Sequence, residues 1–342
     1  MKFTKVLSDV LPSCYAVSRI YHGSHDYLLV ASEVEEACLA YDVNRNFEKT
    51  QVWGEVGGTM SIIQIPESMD FLATQRFYPG FDAASCRIVR GTFQGAGQWE
   101  ISEVTSFPYL HRFDLVEHGG KILFIGCTIA NSKAFSEDWS DDGKIFVGQF
   151  DTKKNNILNL EELSLRLKKN HGYYEVHDQA YSLITGVEGI FRLDYPGEDG
   201  QWHLTKIFGE ETSDIVQLDV DGDGRLENAI IQDFHGDRFR ILSEDFKEER
   251  FTYPEATPFG HALWAGSLLG KEVFLFGWRA GKKDFVAFHY QDGRFVQEVI
   301  EAGVASSNCL AFEKEGKAYI FSANNGQHIV GLYEMKKENT DV

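Results

Sequence analysis

Short apolar or alternating runs, bounded by Gly, Asp and Asn, recur along the whole chain, which is the signature of β-strands. Helical spacing is nearly absent. Only residues 160–169 (LEELSLRLKK) carry it, and there the pattern predicts a helical turn or two. Segments beginning at Cys14, Met60, His111, His171, Ser213, His261 and Ser307 share one plan. Each has a polar start, a short apolar strand, a turn, and a stronger apolar strand, most often ending in Gly or Ala. HRFDLVEHGGKILFIG (from His111) and HALWAGSLLGKEVFLFG (from His261) superpose with a single gap. Two further strand-like runs follow each copy, for example CRIVRGTF and then WEISEVTSF.

The mean spacing of these seven starts is about 49 residues, and four strands per 40–50 residues is the arithmetic of a β-propeller blade. The expected fold is therefore all-β, a seven-bladed β-propeller of four-stranded blades forming a single domain over residues 1–342. The blades are placed at approximately 11–54, 55–107, 108–165, 170–209, 211–253, 257–300 and 304–337. The last repeat supplies only three strands before the polar tail 336–342 (KKENTDV), while residues 2–10 form a spare strand-like run. That run is expected to complete blade seven and close the ring, removing open sheet edges.

Composition agrees with many short strands: aromatic residues are 13%, glycines 32 and prolines only 7. The formal net charge of −19 argues against a nucleic-acid backbone or an anionic membrane surface as partner. No apolar stretch approaches a membrane span. The first residues lack the apolar run of a signal peptide, so cytoplasmic residence is expected. Five scattered cysteines, with no CxxC, read as reduced buried thiols.

One motif carries specific chemistry. Asp219, Asp221 and Asp223 alternate with Val220, Gly222 and Gly224, followed by Arg225, Leu226 and Glu227, which fits DxDGDGxxE. Alternate carboxylates, glycines for the bend, a backbone carbonyl at Arg225 and a closing acid make the oxygen-rich cage that Ca²⁺ prefers. The segment resembles the calcium loops of FG-GAP and VCBS-type propellers, where the loop joins the first two strands of a blade. That resemblance implies one calcium-bearing blade, with a structural ion held by Asp219, Asp221, Asp223, Arg225 and Glu227.

In a propeller the innermost strand of each blade begins at one mouth of the central channel. The predicted starts are Cys14, Met60, His111, His171, Asp214, His261 and Asn308, so three of seven are histidines in a chain holding 11. His111, His171 and His261 are a candidate site for Zn²⁺, Mn²⁺ or Fe²⁺, with Asp214 as a fourth ligand. The competing expectation is that each histidine caps its own strand and bonds the neighbouring blade. Loops on the same face add Arg76, Tyr78, Trp139, Trp278, Arg279 and Asn324 as candidate substrate contacts. His235 joins His111, His171, His261 and Asp214 as acid–base candidates. The longest loop, 128–142, carries Phe135, Trp139 and four acids, and suits a lid or a protein contact.

GxSxG, HExxH, Walker A and GxGxxG motifs are all absent, which disfavours serine nucleophiles and nucleotide hydrolysis. The expectation is a metal-assisted lyase, isomerase or hydrolase acting on a sugar or sugar-derived small molecule. Architecture and the mouth histidines bear a resemblance to the propeller of aldos-2-ulose dehydratases, which implies the same kind of chemistry. The alternative is a non-catalytic interaction scaffold with a structural calcium, because propellers serve both purposes.

Overall fold

In the computed structural model, residues 1–336 are described; most of the polar tail, residues 337–342, lies outside them. The described strands form seven antiparallel sheets of four strands each, in simple sequential order for blades one to six. The blades span 14–53, 62–106, 110–167, 173–208, 214–252 and 260–301, with blade seven built from 306–336 and the N-terminal strand. This is the all-β, seven-bladed propeller that the repeat predicts. The observed inner strands begin within two residues of every predicted start.

Blade seven is completed from the opposite end of the chain. The strand Lys2–Val10 pairs antiparallel with Ile329–Lys336, from Lys2 opposite Lys336 to Val10 opposite Ile329. Its side chains alternate between exposed and half-buried along all nine residues, as an outer strand with one wet face requires. Without it, the polar backbone groups of Ile329–Lys336 would form an open edge.

One expectation is corrected. Residues 160–169 form no helical turn, and most of them belong to the twelve-residue strand Asn156–Leu167. The decisive period is two. Leu163, Leu165 and Leu167 point inward between exposed Glu162, Ser164 and Arg166, and Leu167 pairs with Gly143 of the preceding strand.

The chain divides into two compact units, one of Tyr15–Thr212 and the other of Met1–Cys14 with Ser213–Val342. Within the first, Val116, Leu123 and Ile125 of blade three pack against Ile184, Leu193 and Tyr195 of blade four. Within the second, Val273, Leu275 and Phe285 of blade six pack against Ile320, Tyr333 and Met335 of blade seven. In both units the apolar core lies between neighbouring blades, because the strands of one blade turn alternate side chains toward its two neighbours.

All five cysteines are buried and none forms a disulfide. Burial pushes the Cys86 and Cys127 thiols up to about 12, the opposite of an activated thiolate. No helix among the described residues is long and apolar enough to cross a membrane.

Removing residues 1–10 is expected to lower the melting temperature by ~5 °C or more, since it strips an entire ladder from blade seven. Thermal unfolding followed by circular dichroism measures this, and an unchanged transition would show that the strand is dispensable.

Candidate functional site

The inner strands begin with a recurring irregularity. The pairing register shifts between Leu110 and Arg112, between Gly260 and Ala262, and between Ser306 and Asn308. The extra residue of each bulge is His111, His261 or Ser307. A bulge re-aims the side chain it carries, and here each one reaches the neighbouring blade.

In the unit Tyr15–Thr212, Ser61 Oγ donates to the His111 carbonyl at 3.3 Å, and His111 Nδ1 bonds the His171 carbonyl at 3.2 Å. In the other unit, His261 Nδ1 bonds the Ser307 carbonyl at 2.6 Å, and Ser307 Oγ donates to the Cys14 carbonyl at 3.0 Å. A carbonyl only accepts, so Nδ1 carries the proton in His111 and His261. That makes Nε2 the unprotonated nitrogen of each neutral ring. Both histidines therefore perform the bond to the neighbouring blade that the competing expectation assigned them.

The first unit brings His111 and His171 together, with ring centroids 4.4 Å apart. Both are buried, and Phe77 stands edge-on to His111 at 5.4 Å. Beyond them lies a half-buried aromatic and cationic group from blades two and three. Trp139 meets Phe81 at 5.0 Å, and Lys133 Nζ sits 3.3 Å from the Trp139 ring centre. Lys169 approaches the same ring at 5.8 Å. Desolvation lowers the Lys133 pKa against the pull of Glu137 and Asp138.

The second unit brings His235 and His261 together, stacked at 5.4 Å. His235 is half-buried, whereas His261 is buried. The His235 ring stacks on Phe234 at 4.1 Å and meets Phe259 at 4.5 Å. Arg279 lies over the same Phe259 ring at 4.9 Å and donates to Asn325 Oδ1 at 2.6 Å. One phenylalanine thus supports both an imidazole and a guanidinium.

The remaining predicted contacts scatter. Arg76 is exposed, and the half-buried Tyr78 donates its hydroxyl to the Val56 carbonyl at 2.9 Å. Asp214 is half-buried and accepts from Ser213 Oγ at 3.1 Å. Trp278 is 1% exposed and packs on Phe276 and Tyr253 within the core. Asn324 is fully buried, bonded to Tyr333 and Ser322. Neither Trp278 nor Asn324 presents its side chain to a ligand in this conformation.

The loop 128–142 organises itself. Asn131 and Ser132 both donate to Asp141, at 2.7 and 2.6 Å, and Asp138 accepts from Ala134 N and Ser140 N. Two of its acids are thereby occupied within the loop, while Phe135 stands 66% exposed.

A carboxylate pair escaped the sequence analysis. Asp114 of blade three bonds Tyr173 of blade four, whose hydroxyl meets Ser182 Oγ at 2.7 Å, and Ser182 in turn meets the Tyr195 hydroxyl at 2.6 Å. Glu175 stands close enough to raise Asp114 further. Desolvation first, and then the Glu175 charge, push the Asp114 carboxyl up to about 7; Glu175 is raised by its own desolvation. The only sequence trace is an acid three residues after His111 and another four after His171. Exposed strand acids share that pattern, so the pairing across blades was invisible.

No family model and no curated protein matches this chain. Solved structures do match in fold. The WD40 β-propeller domain of Doa1 is similar over the whole of both chains, with a TM-score of 0.62 at 12% identity. Virginiamycin B lyase from Staphylococcus aureus has a TM-score of 0.58 at 12% identity, covering 98% of this chain and 100% of its own. At such identity the likeness establishes the β-propeller and nothing finer.

The raised Asp114 carboxyl fixes the sign of a pH effect. The folded state holds this proton more tightly than the unfolded chain, so the associated stability is full below about 4 and is lost as pH rises through about 7. Asp114→Asn, which cannot ionise, is expected to gain ~1–2 kcal/mol over the native chain at pH 8. The gain should shrink toward pH 4. Urea unfolding at the two pH values measures it, and a variant destabilised equally at both would contradict the assignment.

Proposed function

We propose that this chain is an acid–base enzyme of the lyase type, acting on a small carboxylate-bearing molecule of the sugar class beside His235, His261 and Arg279. One observation carries the proposal: a half-buried imidazole and an oriented guanidinium share the Phe259 ring within one unit. Elimination from a hydroxy acid needs a base near neutrality and a cation for the charge that develops on the carboxylate. His235 is the imidazole of its pair that reaches the surface, and Arg279 offers the planar fork that suits a carboxylate.

In the proposed step His235 removes the proton α to the carboxylate. The C–H electron pair enters an enediolate whose negative charge is offset by Arg279. The enediolate pair then forms the Cα–Cβ double bond as the β C–O bond breaks, and the β-hydroxyl leaves as water with the proton that His235 carries. His261 has its Nδ1 committed to Ser307, so it fixes the stacking partner of His235. Virginiamycin B lyase, by its name a lyase, is a fold-level precedent for such chemistry on a propeller.

Zn²⁺, Mn²⁺ or Fe²⁺ would also suit His261, because a ring whose Nδ1–H is bound to a carbonyl, as His261 is bound to Ser307, has the usual outer-shell arrangement of a ligating histidine. Such an ion would add Lewis-acid polarisation of the substrate carboxylate. A second proposal, a protein-interaction scaffold, has its own support in the exposed Phe135 of loop 128–142 and in the WD40 neighbour.

The test incubates the protein with a panel of aldonic and uronic acids in D₂O and follows the α-proton by NMR. Exchange or elimination is expected, reduced ~100-fold or more in His235→Ala, with Arg279→Ala mainly raising KM. No exchange, turnover or binding of any acid in the panel would sink the enzyme proposal and leave the scaffold.

A further inference from the structure

The DxDGDGxxE loop joins the strands Asp214–Leu218 and Glu227–Gln232 of blade five, where its resemblance to calcium loops places it. Carboxylate oxygens of Asp219, Asp221 and Glu227 all lie within 4.8 Å of one another. Three like charges at such distances repel unless a cation intervenes. Burial sharpens the demand, because the Glu227 side chain is only 3% exposed.

A cation is already there, and it belongs to the protein. Arg250, on the outer strand Glu249–Thr252 of the same blade, bonds Glu227 Oε1 through one terminal nitrogen and Asp221 Oδ2 at 2.7 Å through the other. Its guanidinium is 5.2 Å from the Tyr290 ring and 5.8 Å from the Phe295 ring of blade six. The other oxygens are engaged by backbone. Glu227 Oε2 accepts from Val220 N, and Asp221 Oδ1 from Asp223 N. Asp219 accepts from Gly222, Asp223 and Gly224 N.

This arrangement does not fit a resident calcium ion. A calcium loop needs its closing acid to turn both oxygens on the metal, and here one oxygen holds Arg250 and the other holds Val220 N. Desolvation raises the Glu227 carboxyl, while Arg250 opposes the same desolvation at Asp221 and holds that group low.

We infer that Arg250 is the built-in cation of this loop, standing where calcium stands in the loops it resembles and closing residues 219–227 without metal. The guanidinium ties the loop to the outer strand of its own blade and to aromatic rings of the next, links that a free ion would not supply. Removing it leaves three clustered carboxylates uncompensated and opens the place for Ca²⁺.

The experiment compares melting temperatures of the native protein and Arg250→Gln in EDTA and in millimolar CaCl₂. The native transition is expected to be the same in both. Arg250→Gln should lose several degrees in EDTA and recover at least half of the loss with calcium. A native protein that EDTA destabilises, or an Arg250→Gln variant indifferent to calcium, overturns the inference. If Arg250→Gln folds in neither condition, terbium luminescence on Arg250→Lys decides, since one ammonium cannot bridge both acids. At least ~tenfold tighter terbium binding than in the native protein supports the inference, and equal or weaker binding overturns it.

Discussion

The architecture of the inner strands depends on one repeated contact, a bulge-borne side chain that reaches a backbone carbonyl of the adjacent blade. His111, His261 and Ser307 each make it. A propeller blade offers neighbours mainly apolar faces, which slide easily because hydrophobic burial is non-directional. A hydrogen bond from a fixed bulge position is directional and sets the relative height of two blades. Each is worth about 1 kcal/mol net, but a buried carbonyl left without its donor costs 1–3 kcal/mol. The carbonyl of Cys14 shows the weight placed on this position, since it accepts from both Ser307 Oγ and Asn325 Nδ2 at 3.0 Å.

The same contact bears on the chemistry proposed for His235 and His261. Spending Nδ1–H on a carbonyl selects the tautomer and fixes the ring plane, so an interblade bond and an oriented Nε2 come from one residue. The two units each set a ring of this kind beside a second histidine, His171 in one case and His235 in the other. Their surroundings differ. His111 and His171 are buried behind Phe77, whereas His235 reaches the surface next to Arg279. Internal cations recur where acids crowd, most clearly at Arg250 between Asp221 and Glu227.

The blade repeat was legible because period-two alternation and turn residues are local signals, and seven copies reinforce one another. The strand Lys2–Val10 was legible by counting, since the last repeat was one strand short. Residues 160–169 misled because Leu160, Leu163 and Leu167 satisfy helical spacing, while Leu163, Leu165 and Leu167 satisfy strand spacing; pairing with Gly143–Asp151 decided the matter. The histidine positions were readable from the strand starts, but their hydrogen bonds were not, because a bulge is invisible in sequence. Trp278 and Asn324 looked like loop residues and proved to be core, each at the last position of a buried strand. The Asp114–Tyr173 and Arg250–Glu227 contacts join residues 59 and 23 positions apart, respectively, and only the packed blades bring them together.

Backbone carbonyls of adjacent blades dictate the tautomers of His111 and His261. Long-range ¹H–¹⁵N correlation of the imidazole nitrogens above pH 7.5, with His111 and His261 assigned by substitution, reads that state directly. Both rings should carry their proton on Nδ1, with Nε2 unprotonated. Protons on Nε2 in either ring would mean that the carbonyl contacts do not form, and the account of the fold and of the site built on them would fail together.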